Sequence, residues 1–234
     1  DILMENNGTL DKYIGDAIVA FYGAPIDVKE HELMACRTAI KMQERLAELR
    51  EQWQAEGDRW PEIVHHMQNR IGINTGQLVT GNMGSESRMN YTMMGDTVNL
   101  AARLESSAKQ YGIYIQIADS TYEAIQDKVV VRALDFVKVL GKEEPVKVFE
   151  LISEVGQEPE PYKKILPAFH EAIALYFNQD WEKAIDAFKA ADDLEEMFPG
   201  RKTNPSRIYI PRCEHFKANP PGDDWDGVWT LTSK

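Results

Sequence analysis

Two pairs of polar residues, each spaced by four, carry the chemistry this sequence offers. The first is Lys12 and Asp16, inside the stretch GTLDKYIGDAIVAFYGAP from Gly8 to Pro25. Asp16 follows Gly15 at the edge of a short apolar run, Ile18 to Phe21. That run is too short for a helix and is bounded by Gly15 and Gly23, so a buried strand is expected. A carboxylate at such a turn suits a hard cation, because Mg²⁺ takes a few fixed oxygens and keeps its waters. Taken alone, the pair reads more simply as polar residues of a surface turn. The second pair, Asn99 and Arg103, lies one above the other on a single helix face. An amide and a guanidinium converging there suit a phosphoryl group, since both stabilise charge developing on oxygen. In isolation this pair also describes an ordinary exposed stripe.

The elements that must hold these residues alternate between helix and strand. Asp27–Trp53 reads as a helix whose apolar stripe is Ala35, Ala39, Met42, Leu46 and Leu49. QAEGDRWP ends it, and His65 and His66 follow as solvated loop residues. RIGINTGQLVTGNMG, residues 70–84, predicts a β-hairpin: Ile71 and Ile73 lead out, Thr75-Gly76 turns, and Leu78-Val79 return. Glycines 72, 76, 81 and 84 match neither the P-loop nor the dinucleotide spacing, and are read as sites of close backbone approach. In RMNYTMMGDTVNLAARLES, residues 88–106, Asp96 is the expected helix N-cap, with Thr97, Ala101, Leu104 and Ala108 as the packing stripe. A strand at Tyr114–Ala118 and a short helix opening at Asp119 come next. Val129–Val139 and Val146–Leu151 then form an antiparallel pair whose loop, LGKEEPV, carries Lys142. The pattern predicts an α+β sandwich, a sheet covered by helices on one side.

Composition narrows the function classes. Of 234 residues, 43% are hydrophobic and 27% charged, as expected of a globular chain. A net charge of −12 argues against general nucleic-acid binding, which needs a basic footprint. No apolar run approaches the roughly 20 residues of a membrane span, and no targeting segment is visible. Asp1 stands where an initiator Met is usual, so the chain reads as part of something longer. Cys36 and Cys213 lie far apart in helical patterns, which predicts buried reduced thiols and a reducing compartment.

DKYIGDAIVAFYGAP, RIGINTGQLVTGNMG and YTMMGDTVNLAARLES, in that order, closely resemble the catalytic domain of class III nucleotidyl cyclases, in particular bacterial adenylate cyclases. The resemblance covers residues 1–152. It implies a ferredoxin-like α+β core acting as a head-to-tail homodimer with each site across the interface. The implied reaction converts ATP to 3′,5′-cyclic AMP and pyrophosphate with two Mg²⁺ or Mn²⁺ ions. By position, Asp16 matches a metal-binding aspartate and Lys12 the purine-reading lysine, where guanylate cyclases typically carry Glu. Lysine donates to adenine N1, whereas a carboxylate accepts from guanine. Thr92 matches the second purine-reading position; a threonine there is similar to the bicarbonate-responsive, soluble-type subgroup. Asn99 matches the ribose-orienting residue, and Arg103 the one that stabilises charge at the α-phosphate. Lys142 matches a triphosphate-contacting lysine, although the family's Lys-Gly-Lys reads Leu140-Gly141-Lys142 here. The family's other metal aspartate belongs to a strand upstream of the part matching Gly8, so this stretch alone is expected to be inactive or nearly so. The alternatives are a nucleotide-binding regulatory module without turnover, and a guanylate cyclase.

Beyond the cyclase-like part, residues 153–164 read as a linker, with GQEPEP at 156–161, and 165–234 as a helical tail. Leu166–Phe198 resembles a single tetratricopeptide-like helix hairpin, which cannot bury its own face and must pack on the core or a partner. Residues 154–200 hold eleven acids against four basic residues, so the hairpin is expected to be a solvated acidic surface. Trp225 and Trp229 are expected to anchor the end of the chain onto protein. Similar endings in bacterial cyclases imply a cytoplasmic output domain below sensor and membrane regions.

Overall fold

The computed structural model describes residues 1–137, 145–195, 201–222, 224–227 and 229. Lys142, the expected triphosphate contact, lies outside the described residues. A one-turn helix α1 (Ile2–Glu5) leads into an antiparallel hairpin of β1 (Thr9–Ile14) and β2 (Ala17–Phe21), which turns at Gly15 with φ +61°. The long helix α2 (His31–Ala55) and short α3 (Glu62–His65) follow. Next come β3 (Ile71–Ile73), β4 (Val79–Ser85), β5 (Arg88–Met94), α4 (Asp96–Tyr111), β6 (Ile115–Ala118) and α5 (Asp119–Ile125). The chain continues through β7 (Val129–Val137), β8 (Val146–Glu154), α6 (Tyr162–Phe177), α7 (Trp181–Leu194) and α8 (Pro205–Ala218).

The central sheet has the order β3-β6-β8-β7; β3 runs parallel to β6, and the other neighbours are antiparallel. The parallel pair needs a crossover, and α4 supplies it. Alternate residues of β8 point to opposite faces. Phe149 and Leu151 bury beneath Leu33, Cys36 and Ala39 of α2, while Val146 and Val148 join Leu100, Leu104 and Ala108 of α4. Helices therefore cover both faces, not one. The architecture remains α+β as expected.

Several local expectations are corrected. The predicted hairpin of residues 70–84 does not form: β3 leaves for the central sheet and β4 pairs with β5 instead. Thr75-Gly76 connects two sheets, a distinction that alternation alone cannot make. In β2 only Phe21 is buried and Ile18 is 51% exposed, because a two-stranded hairpin leaves one face open. Helix α2 buries Leu33, Cys36, Thr38 and Ala39; the C-terminal half of the expected stripe runs past the sheet and stays half-buried. Helix α4 buries Leu100 and Tyr111 in place of Thr97 and Ala101. Its N-cap is Gly95, with Asp96 already inside the first turn. His65 closes α3 and is half-buried rather than in a solvated loop.

The expected terminal hairpin is a three-helix unit. Phe169, Tyr176, Trp181, Phe188, Tyr209 and Phe216 share one aromatic core, and α8 completes it. Asn204 caps α8 by accepting from the Arg207 amide at 3.0 Å, with Pro205 at the first helical position where its missing N–H costs nothing. Most described acids of the unit do face solvent, Glu160, Glu171, Glu182, Asp186 and Asp193 among them, but Glu195 is buried. Arg132 on β7 is fully buried, ion-pairing Glu150 of β8 at 2.5 Å and also Glu195 just past α7. Arg201 pairs the same Glu195 at 3.1 Å, Arg212 of α8 reaches Asp135 of β7 at 2.7 Å, and the Tyr209 hydroxyl donates to the Leu134 carbonyl. Trp225 lies 5.2 Å from the Tyr176 ring and Trp229 5.3 Å from Phe216.

Candidate active site

Lys12 and Thr92 are 80 residues apart, and the structure brings them together. Lys12 Nζ donates to Thr92 Oγ1 at 3.0 Å, and Thr92 Oγ1 donates to Asp11 Oδ2 at 2.8 Å. Lys12 also ion-pairs Asp11 at 3.4 Å, with the lysine side chain 47% exposed and that of Asp11 only 3%. The two hairpins meet here. Phe21 of β2 packs on Tyr91 of β5 with ring centroids 6.1 Å apart. Thr92 stands directly across from Gly81 in the β4–β5 register, where a Cβ would meet nothing within 4 Å, so that flank of the threonine stays open.

Asp11 was not singled out from the sequence. Its position depends on an irregularity in β1: Leu10 pairs with Ala20 and Lys12 with Val19, which leaves Asp11 as an extra residue. In a regular strand Asp11 and Lys12 would point to opposite faces. A bulge re-aims a side chain, and here both reach the same threonine. No residue-type signal marks such an insertion.

Asn99 and Arg103 are both exposed on α4, one turn apart as expected. Their helix is fixed by backbone contacts. Asn74 Nδ2 donates to the Thr97 carbonyl at 2.9 Å, and Thr97 Oγ1 to the Gln77 carbonyl at 3.0 Å, which pins the first turn beside the β3–β4 connection. A Cβ at Gly72 would lie 2.2 Å from the Ala101 carbonyl oxygen, so glycine is what lets α4 lie against β3. At the far end Arg201 Nε donates to the Gly112 carbonyl at 2.9 Å, and Tyr111 donates to Asp135 at 2.7 Å. Burial first, and then Asp135, push the Tyr111 hydroxyl pKa well above its ordinary value, so it remains a donor. The tail thus holds the last turn of the helix that carries Asn99 and Arg103.

Asp16 sits exposed in the β1–β2 turn, at the opposite end of β1 from the Asp11 bulge. Among the described residues no group of three or more His, Cys, Asp or Glu is placed to hold an ion. One carboxylate is not a metal centre, so the described donors do not make one by themselves.

Residues 2–153 match the adenylate and guanylate cyclase catalytic domain family. The chain belongs to this family. Catalytic domains of the family generally use divalent metals. An adenylate cyclase of Dictyostelium discoideum, terminal-differentiation specific, is 35% identical over 215 residues, which cover 90% of this chain and 10% of that protein. A match of that length runs past the catalytic domain into the helical tail. The solved adenylyl cyclase CyaB from P. aeruginosa is 32% identical with a TM-score of 0.58, covering 68% of this chain and 78% of that one. The guanylyl cyclase Cya2 is 33% identical with a TM-score of 0.56, covering 67% and 76%. The chain spans between 10% and 28% of the length of the first curated adenylate cyclases it matches. No helix among the described residues is long and apolar enough to cross a membrane.

Proposed function

We propose that this cyclase domain belongs to an adenylate cyclase, converting ATP to 3′,5′-cyclic AMP and pyrophosphate. The observation that carries the reading is the Lys12–Thr92 pair at 3.0 Å. An ammonium and a hydroxyl held side by side offer a donor for adenine N1 and an acceptor for its N6 amine. Asn99 orients the ribose, and Arg103 stabilises charge on the α-phosphate as the 3′-oxygen attacks. Positioning and charge stabilisation are what phosphoryl chemistry chiefly asks of a protein. Lys142 contacts the triphosphate. Asp16 would supply one carboxylate to the Mg²⁺ or Mn²⁺ that assists the attack.

The site is shared between two copies arranged head to tail. Both hairpins present uncovered apolar side chains that such a partner would bury: Tyr13 at 66% exposure, Ile14 at 61%, Val79 at 65% and Met94 at 61%. The domain acts as the cytoplasmic output of a longer signalling protein.

The test measures cyclic AMP and cyclic GMP formed with Mn²⁺ by the 234-residue chain and by the longest chain that contains it. Lys12→Glu lowers kcat/KM for ATP by about tenfold or more and weakens the preference for adenine, the scale expected when a donor meets the wrong partner. Arg103→Ala lowers kcat with little change in KM, the signature of an interaction made in the transition state. Unchanged ATP kinetics in Lys12→Glu would remove that residue from the base pocket. Cyclic GMP as the main wild-type product would give the guanylate reading instead.

A further inference from the structure

We infer that Asp11 is a positioning residue for base selection: by accepting the hydroxyl hydrogen bond of Thr92, it leaves that oxygen able only to accept toward the purine. The inference rests on the adenylate reading and deepens it. A carboxylate has no proton to give, so in the 2.8 Å contact between Thr92 Oγ1 and Asp11 Oδ2 the threonine is the donor. One lone pair of Oγ1 accepts from Lys12 Nζ at 3.0 Å. The remaining capacity of the oxygen is a second lone pair, which accepts and cannot donate. Of the three N–H groups of the lysine, one remains after its contact with Thr92 and its ion pair with Asp11.

The pair therefore presents a donor and an acceptor in fixed order. Adenine answers it with N1 as acceptor and the N6 amine as donor. Guanine in the same pose brings N1–H against the ammonium and O6 against the threonine lone pair, a mismatch at both points. Without Asp11 the hydroxyl turns freely and donates to O6, which relieves half of that mismatch. A threonine by itself does not discriminate between the purines.

Two features suit Asp11 to this task. Its side chain is 3% exposed, so water does not compete for the threonine proton. It also occupies the extra position in β1 between Leu10 and Lys12, which places two consecutive side chains on one partner.

The experiment compares kcat/KM for ATP and GTP in the longest chain that contains these residues. Displacement of a fluorescent ATP analogue by ATP and by GTP gives a second ratio that does not need turnover. Asp11→Ala and Asp11→Ser, both lacking an acceptor that reaches Thr92, lower the ATP:GTP ratio by about tenfold, the scale of one misdirected hydrogen bond. Either variant that folds decides the matter. Asp11→Asn keeps an acceptor oxygen in place and holds the ratio within about threefold of wild type. A purely structural role would lower both nucleotides together and leave the ratio unmoved; with an ATP-preferring wild type, that result overturns the inference and spares the adenylate reading. A loss in Asp11→Asn as deep as in Asp11→Ala would also overturn it. A wild type that prefers GTP would end both.

Discussion

Replacing Arg212 by Met tests how the tail is fastened to the catalytic core. The Arg212 side chain is 6% exposed and its guanidinium pairs with Asp135, itself 5% exposed, at 2.7 Å. Burial would lower the guanidinium pKa, but the field of Asp135 outweighs it and holds Arg212 above its ordinary value, so the guanidinium stays charged. The guanidinium also lies 5.0 Å over the Tyr209 ring and 5.2 Å over Trp229. Methionine keeps most of the stem volume and removes the charge. Asp135 is then left with the Tyr111 hydroxyl at 2.7 Å and the Phe136 amide at 2.8 Å. An uncompensated buried carboxylate costs about 3–5 kcal/mol, and the lost cation–π contacts add about 1. In a chain of this length each kcal/mol moves Tm by about 2–4 °C, so a fall of roughly 10 °C is expected by circular dichroism. Adding Asp135→Asn removes the stranded charge and recovers more than half of that fall. A single-variant shift below about 2 °C, or a double variant no better than the single, would refute the argument that the pair is buried and mutually dependent.

Two further outcomes follow from other buried or paired groups. Cys36 and Cys213 are free, and burial pushes each thiol up to about 12. At pH 8 the native chain should label with neither iodoacetamide nor an aromatic disulfide, and both thiols should react in urea; fast labelling of the native state would contradict their burial. Arg37 grips Glu154 through two contacts of 2.7 and 2.6 Å, and these hydrogen bonds hold the carboxyl below its ordinary 4.5 despite partial burial. A depressed carboxyl contributes stability that is present above 4.5 and lost as pH falls through the folded value. Arg37→Gln should therefore cost about 1 kcal/mol at pH 7 in urea unfolding, and that difference should shrink as the pH falls below 4.5; a difference undiminished in acid would remove the pair as its source.

The type of several elements was legible because local chemistry decides it, whereas β1, β5 and α8 were not expected. The apolar alternation of Ile71–Ile73, the glycines that bound the Ile18–Phe21 strand and the Asp119 opening of α5 each agree with what formed. Partnership was less legible. A strand of three residues has no preference of its own for β4 or β6, and the close approach of α4 at Gly72 settles it from 30 residues away. The tail illustrates the same limit. Helix α8 was not expected at all; it forms with Pro205 in its first turn and Pro211 inside it, held by the aromatic core. The acids of residues 154–200 suggested solvent, and most described ones do face it; the exception, Glu195, is buried between two arginines.

The site divides along the same line. Asn99 and Arg103 could be found from spacing because a helix converts four residues into one face, and both face solvent on α4. Lys12 and Thr92 could be matched to a family but not to each other, since no periodic rule links residues 80 apart. Asp11 was invisible for a stronger reason: in an unbroken strand it belongs on the face away from Lys12. Only the pairing of Leu10 with Ala20 and Lys12 with Val19 exposes the inserted residue. The residue that accepts the Thr92 hydroxyl is therefore one that sequence alternation places on the wrong side, and the Asp11–Lys12–Thr92 cluster is specified as much by backbone register as by residue type.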